Sequence, residues 1–201
     1  MTALLLLLGY GCGAIPTGVL LTRRVGVDVR TTGSGNIGAT NVARTAGMRL
    51  GVATLAGDVL KGMLPVIVAR LATSDAGLWA AVGLAAVVGH VFPVTLRFAG
   101  GKGVATALGV VLALCPAAAG VAVAVFAAVV AAWRWVSVAS MVAALAAPVA
   151  MALAGCPPPV VGAGLAMAAL VVLRHRENLS RLIAGTEPTI QLLKRQASPK
   201  Q

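Results

Sequence analysis

The chain has 201 residues, 59% of them hydrophobic and only 10% charged, with a net charge of +11. Soluble domains carry about 25% charged residues, and no single water-soluble core could hide this much apolar surface, so the bilayer is the expected solvent. The positive charge does not indicate nucleic acid, because the basic residues lie between apolar runs, where they meet anionic headgroups and set orientation.

In chain order, the start Met1-Thr2-Ala3-Leu4 lacks the basic segment of a signal peptide, so residues 3–22 are expected as a retained first span. Residues 50–69 give a second span, interrupted only by Asp58 and Lys61, and residues 78–96 a third. Residues 103–133 are uncharged but broken at Cys115-Pro116. Residues 135–173 exceed one crossing of about 20 residues and are broken at Gly155-Cys156-Pro157-Pro158-Pro159, so they make two spans. As one helix, 103–133 would be about 46 Å long, too much for one crossing and short for two. Charge decides between these. A hairpin places 14 basic residues on one side, from Arg23 to Lys200, against Arg70 alone opposite, whereas a single crossing divides them 7 against 8. The positive-inside rule favours the hairpin. The expectation is an all-α, polytopic membrane bundle of seven helices, two of them short. Its N-terminus is outside and its C-terminus cytoplasmic. The whole of 1–201 is one membrane domain, with a basic cytoplasmic tail from about 174. Cys12, Cys115 and Cys156 lack metal-ligand spacing and read as small buried hydrophobes.

Every polar cluster then falls on the cytoplasmic face. The first is Thr31-Thr32-Gly33-Ser34-Gly35-Asn36-Ile37-Gly38-Ala39-Thr40-Asn41-Val42-Ala43-Arg44. Its glycines allow successive N–H groups to converge on an anion. Ser34, Thr40 and Asn41 add donors, and Arg44 adds a planar fork for phosphate. The bland alternative, a plain glycine-rich turn, accounts poorly for so much polarity in a chain otherwise starved of it. No Walker A sequence or dinucleotide fingerprint is present. The second cluster is Gly89-His90-Val91-Phe92-Pro93, Arg97 and Gly100-Gly101-Lys102-Gly103, which opens the next helix. There, exposed N–H groups, helix dipole and ammonium combine at one point. The competing readings are an anchoring lysine for Lys102 and a hydrogen-bonded helix-end histidine for His90. The third cluster is Arg174-His175-Arg176-Glu177-Asn178-Leu179-Ser180-Arg181, followed by Gly185-Thr186-Glu187. Helical spacing puts Arg174, Asn178 and Arg181 on one side. Here the competing reading is a basic tail that binds lipid. Asp58 and Lys61 most simply form an intrahelical pair, although charges within a membrane are candidates for function.

Three anion-friendly clusters imply a substrate carrying phosphate. With two histidines and five acidic residues, no Ser-His-Asp, paired-carboxylate or metal set is visible. The chemistry is expected to rest on positioning and electrostatics.

These segments resemble the bacterial acyl-phosphate:glycerol-3-phosphate acyltransferases, the PlsY family. The likeness runs from Gly13-Ala14-Ile15-Pro16 through GSGNIGATNVAR, GDVLKGMLPV, GHVFPVTLRFAGGKGVAT and the Ser137/Ser140 segment to RHRENLSRLIAGTE. Thr95-Leu96-Arg97 is less typical of it. The resemblance implies transfer of a fatty acyl group from acyl phosphate to the 1-hydroxyl of glycerol 3-phosphate, giving lysophosphatidate and phosphate, the first step of phospholipid biosynthesis. It implies a site on the cytoplasmic side of a bacterial inner membrane and no acyl-CoA or carrier-protein donor. No cofactor, metal, nucleic acid or obligate protein partner is expected; the partners are the two substrates and membrane lipid. Ser34, Arg44, Lys102, Ser140, His175 and Asn178 match positions that the family uses in binding or catalysis. Ser34, Lys102, His175 and Asn178 are expected to be catalytic. Gly35, Asn36, Gly38, Thr40, Asn41, Arg44, His90, Gly101, Ser140 and Arg181 are expected to bind substrate. Direct attack on the activated anhydride, with a substrate phosphate oxygen as base, needs no covalent enzyme intermediate. The rival reading is a small phosphate or organic-anion transporter, against which stand the one-sided polarity and the lack of an internal repeat.

Overall fold

The computed structural model describes residues 1–190, and among these no strand occurs. Lys194, Arg195 and Lys200 of the expected basic tail lie outside the described residues. The helices in order are α1 (Thr2–Gly13), α2 (Thr17–Arg23), α3 (Ala39–Ala46), α4 (Met48–Ala72), α5 (Ala76–Val91), α6 (Val104–Leu114), α7 (Pro116–Trp133), α8 (Val136–Leu153), α9 (Pro158–Arg174) and α10 (Arg176–Ile183). Four helices are long and apolar enough to cross a membrane: α4, α5 with the short turn after it, α7 and α8. Counting the bent pairs α1–α2 (41°) and α9–α10 (52°) as one span each raises the number to six, and α6 is a shorter apolar helix of 11 residues. The fold is the expected all-α membrane bundle.

Local sequence explains where these helices begin. Pro116 and Pro158 open α7 and α9, where a fixed φ helps and a missing N–H costs nothing. Asp75 caps α5, its Oδ1 accepting from Gly77 N at 2.8 Å and Leu78 N at 3.2 Å. Pro65 and Pro148 lie inside α4 and α8, which membrane helices tolerate where neighbours cover the freed backbone.

Helices in lipid gain little from hiding apolar side chains and hold together by close packing. Gly62 of α4 faces the carbonyl of Thr106, and Gly109 of α6 faces that of Val59, so the two backbones touch with no room for a Cβ. Val66, Val87, Val110, Met151 and Met167 join α4, α5, α6, α8 and α9 in one buried cluster. The break between α1 and α2 is closed by charge: Lys61 Nζ donates to Ile15 O at 2.8 Å and lies 2.8 Å from Asp58 Oδ1, both side chains being buried. This is the intrahelical pair expected of Asp58 and Lys61, with a bond to the α1–α2 break added.

The 103–133 stretch folds as two helices broken at Cys115, and the residues flanking its two ends each meet α10 or the segment that follows it. Lys102 meets Asn178 of α10, and Ile190 N, in the segment that follows α10, donates to Arg134 O at 2.8 Å. At the far end of the hairpin, Arg70 of α4 donates to Ala113 O and stacks 5.4 Å from the Trp79 ring.

Gly62→Leu should force α4 from α6 and lower stability by about 1–3 kcal/mol. Gly120→Ala, where a Cβ meets nothing within 4 Å, should leave the midpoint of thermal unfolding in detergent unchanged or slightly raised. Equal midpoints for the two variants would contradict the packing described.

Candidate active site

The loop between α2 and α3 is organised by one amide. Asn41, 2% exposed, donates through Nδ2 to Val29 O, Thr32 O and Asn36 O at 2.9–3.0 Å and accepts from Ser34 N at 2.9 Å. Gly33 sits against the Asn41 amide at φ +62°, a conformation that a side chain would strain. Two sequence expectations change here. The sequence suggests that Asn41 offers its amide to an anion, but that amide is spent on the loop. It also suggests that the loop N–H groups converge on an anion, but those of Ser34, Gly35 and Gly38 are paired with Asn41 Oδ1, Thr32 O and Asn36 Oδ1. What the loop presents instead is the exposed side chains of Ser34, Thr40 and Arg44, together with the N–H groups of Ala39 and Thr40 at the start of α3, ahead of Asn41 N and Val42 N, which donate to Gly38 O.

The glycine turn before α6 is clamped from two directions. Gly100 N and Gly101 N donate to Val91 O and His90 O at 3.2 Å each. From the end of α9, Arg174 donates to Gly100 O at 3.1 Å and Gly101 O at 3.3 Å, while its guanidinium lies 5.7 Å from the Phe92 ring. Gly103, at φ +81°, turns the chain into α6. His90 borders the cavity, but its Nδ1 pairs with Thr106 Oγ1 at 3.1 Å and its Nε2 lies against Gly101, where a Cβ would collide with it. His90 therefore supports the turn from below, where the sequence suggests a contact to substrate.

The clamped turn aims Lys102 at the third cluster. Lys102 Nζ donates to Asn178 Oδ1, Asn178 Nδ2 donates to Glu187 Oε1 at 2.6 Å, and Arg181 Nε donates to Glu187 Oε2 at 2.8 Å. Burial, helped by the cations Arg181 and Arg174 and opposed by Glu187 and Glu177, brings the Lys102 ammonium down to about 8. Burial works against ionisation of Glu187, but hydrogen bonds hold its carboxyl below the usual range. They come from Asn178 and Arg181. His175, 2% exposed, places Nδ1 2.7 Å from Val171 O. A carbonyl only accepts, so Nδ1 carries the proton and Nε2 keeps its lone pair. Burial, together with the Lys102 charge, pushes His175 down to about 4 against the hydrogen bond to Val171, so the ring is neutral near pH 7.

These groups share one cavity of about 790 Å³. Its polar end carries Ser34, Arg44, Lys102, Ser140, His175, Asn178 and Arg181, and its apolar end runs past Val111, Phe126, Ala147, Gly164 and Met167. Asn36, Gly38 and Thr40 also line it, whereas Gly35 and Gly101 do not. Gly35 and Gly101 shape the loops instead. Ser140 Oγ donates to Val136 O at 2.8 Å, which leaves its lone pairs to accept. Glu187, Ser137 and Arg174 are not singled out as site residues by the sequence. The arrangement suits a ligand with an anionic head and a long apolar tail.

Three comparisons bear on this arrangement. Residues 3–185 match the family model described as glycerol-3-phosphate acyltransferase. Curated proteins of that name include one from Geotalea daltonii, 53% identical over 89% of this chain and 92% of its own. Another, from Geobacter metallireducens, is 56% identical over 92% and 95%. Among solved structures, the glycerol 3-phosphate form of PlsY (YgiH), described as an integral membrane glycerol 3-phosphate acyltransferase, superposes with a TM-score of 0.91. It is 40% identical over 94% of this chain and 95% of that one. Its lysophosphatidic acid form gives 0.89 at 39% identity.

His175 should remain the neutral Nδ1–H tautomer from pH 8 down to about 5. Nitrogen NMR of labelled histidine, assigned with His175→Gln, reads this directly, and a midpoint near the ordinary 6.5 would contradict it. Because the unfolded chain binds this proton more readily, the group's stability contribution is complete above about pH 6.5 and is lost as pH falls towards 4.

Proposed function

The chain belongs to the glycerol-3-phosphate acyltransferase family, and on that premise we propose that it moves a fatty acyl group from acyl phosphate to the 1-hydroxyl of glycerol 3-phosphate. The products are lysophosphatidate (1-acylglycerol 3-phosphate) and inorganic phosphate. The observation that carries this reading is the single cavity joining a cationic mouth to an apolar groove, as a donor with a phosphate head and a fatty tail requires. Both acyl phosphate and glycerol 3-phosphate bring phosphate, and the mouth offers Arg44, Lys102 and Arg181 for them.

The mechanism follows from the anhydride's own reactivity. Acyl phosphate carries a good leaving group, so the acceptor hydroxyl attacks the acyl carbon directly. Ser34, the N–H groups of Ala39 and Thr40 and Lys102 stabilise charge on the donor, while Arg44, Asn178 and His175 hold glycerol 3-phosphate. The hydroxyl donates its hydrogen bond to His175 Nε2. An imidazole this weakly basic orients the hydroxyl better than it stores its proton, which departs with the released phosphate. The carbon–oxygen bond to the acceptor forms as the bond to phosphate breaks, so atoms and charge balance without metal, nucleotide or covalent enzyme intermediate.

The site faces the cytoplasm from a bacterial inner membrane. Seven spans, N-terminus outside, put the basic loops on the cytoplasmic side and Arg70 opposite. The whole chain acts as one domain and needs no protein partner.

Purified protein given synthetic acyl phosphate and labelled glycerol 3-phosphate should yield labelled lysophosphatidate, and acyl-CoA should not replace the donor. If the Lys102 ammonium is the reacting form, kcat/KM falls as pH rises through about 8, roughly tenfold per unit beyond it. Lys102→Arg, lower in activity, should lose that alkaline limb because a guanidinium does not titrate there. A flat profile to pH 10 in the parent would remove Lys102 from this role, and transfer from acyl-CoA alone would overturn the donor assignment.

A further inference from the structure

The end of the bundle away from the cavity mouth carries a feature that the acyltransferase reading does not use. Cys115 is the one residue between α6 and α7, and Cys156 lies in the turn between α8 and α9. They are 41 positions apart in sequence, yet their Sγ atoms are 2.6 Å apart. That is well inside van der Waals separation, which is about 3.5–4.0 Å even between carbons. Each backbone is anchored, Cys115 N to Val111 O at 2.7 Å and Cys156 N to Met151 O at 3.0 Å. Both side chains pack into the main buried cluster beside Ala118, Met151 and Val160. The level of this turn is marked by Arg70, which closes the end of α6 through Ala113 O and sits in the last turn of α4, before the α4–α5 connection.

We propose that Cys115 and Cys156 are joined by a disulfide in the native protein, tying the α6–α7 turn to the α8–α9 turn. The proposal rests on the orientation given above, which puts both turns on the outer, oxidising side of the membrane. The two thiols give up two electrons and two protons to a disulfide-bearing oxidant of that compartment. A thiolate of one cysteine attacks the oxidant's disulfide and expels one of its sulfurs as thiolate. The second cysteine then attacks the mixed disulfide, forms the Cys115–Cys156 bond and expels the other. Two thiols are released for one disulfide made. Burial pushes the Cys156 thiol up from its ordinary value, so the exchange is slow on the folded protein and belongs to the time of membrane insertion.

The bond has a structural consequence for the cavity. Val111 of α6, Phe126 of α7, Ala147 of α8 and Met167 of α9 line the apolar groove, and the disulfide fixes their helices to one another at the end farthest from Lys102. It therefore holds the groove's width without touching the reacting groups.

Thiol counting on the whole chain tests this. Cells are lysed into N-ethylmaleimide and SDS, the protein is purified and reduced, and newly freed thiols are coupled to a polyethylene glycol maleimide. Cys12 is the internal control. The expected result is one thiol trapped before reduction and two shifted after it. That two-step shift should survive in Cys12→Ser and vanish in both Cys115→Ser and Cys156→Ser. Intact mass about 2 Da below the three-thiol value supports the same conclusion, and three thiols trapped before reduction overturn it. A separate Ser74→Cys variant in a background lacking the native cysteines, probed on intact cells with a membrane-impermeant maleimide, reads the orientation. Three free thiols with Ser74→Cys labelled from outside remove the disulfide alone. Three free thiols with Ser74→Cys shielded remove the disulfide and the orientation on which it stands.

Discussion

A carboxamide has one accepting end and one donating end, and at Asn178 each takes one partner, with the second N–H left for a ligand. Its oxygen takes the Lys102 ammonium and its nitrogen gives to Glu187, which in turn takes Arg181. An ammonium can only donate and a carboxylate only accept, so the amide has one permitted orientation. The result is a chain of alternating polarity across the mouth of a cavity in a bundle with few other charges. It places two cations about the site without leaving either one unpaired in a poorly hydrated setting, where an isolated charge is costly.

The remainder of the architecture serves to present that chain. Arg174 and the carbonyls of His90 and Val91 grip the glycine turn that carries Lys102. Asn41 does the same for the loop that carries Ser34. The part-buried Arg174 in one loop and the buried Asn41 in the other hold the backbone still, so that Lys102 and Ser34 are presented to the cavity. The close contact of α4 and α6 at Gly62 and Gly109 sets where the turn enters the bundle. The bent end of α9 sets where His175 and Asn178 stand. Packing, turn geometry and electrostatics thus depend on one another over a short distance.

The membrane class, the break at Cys115 and the three polar clusters are legible in the sequence, because polar residues stand out in a chain that is otherwise apolar. Which way each polar group faces is not. Asn41 and His90 look like donors for a ligand, but both turn inward, since a donor in a glycine-rich loop serves its own backbone as readily as an anion. Glu187 is hidden for the opposite reason: a carboxylate among cations reads as a counter-charge until its bonds to Asn178 and Arg181 are seen. Arg174 reads as sharing one side of the last cluster with Asn178 and Arg181, and only the fold shows it holding the carbonyls of Gly100 and Gly101. The adjacency of Cys115 and Cys156 is wholly tertiary and leaves no mark in their spacing.

The order of polarity across the mouth is open to a direct test by a double-mutant cycle. Asn178→Asp puts a second carboxylate against Glu187, and Glu187→Gln removes the anion that Arg181 holds, so each alone should lower kcat/KM substantially. Together they restore one amide and one carboxylate between Lys102 and Arg181 in reversed order. The glutamine nitrogen can then give to the new carboxylate at position 178, and its oxygen can take from Arg181. The account predicts that the double variant is more active than the product of the two single losses allows, by at least about tenfold, or roughly 1.4 kcal/mol of coupling. Losses that simply multiply, with all three variants shown to be folded by size-exclusion in detergent, would contradict the claim that this alternation is what holds the site.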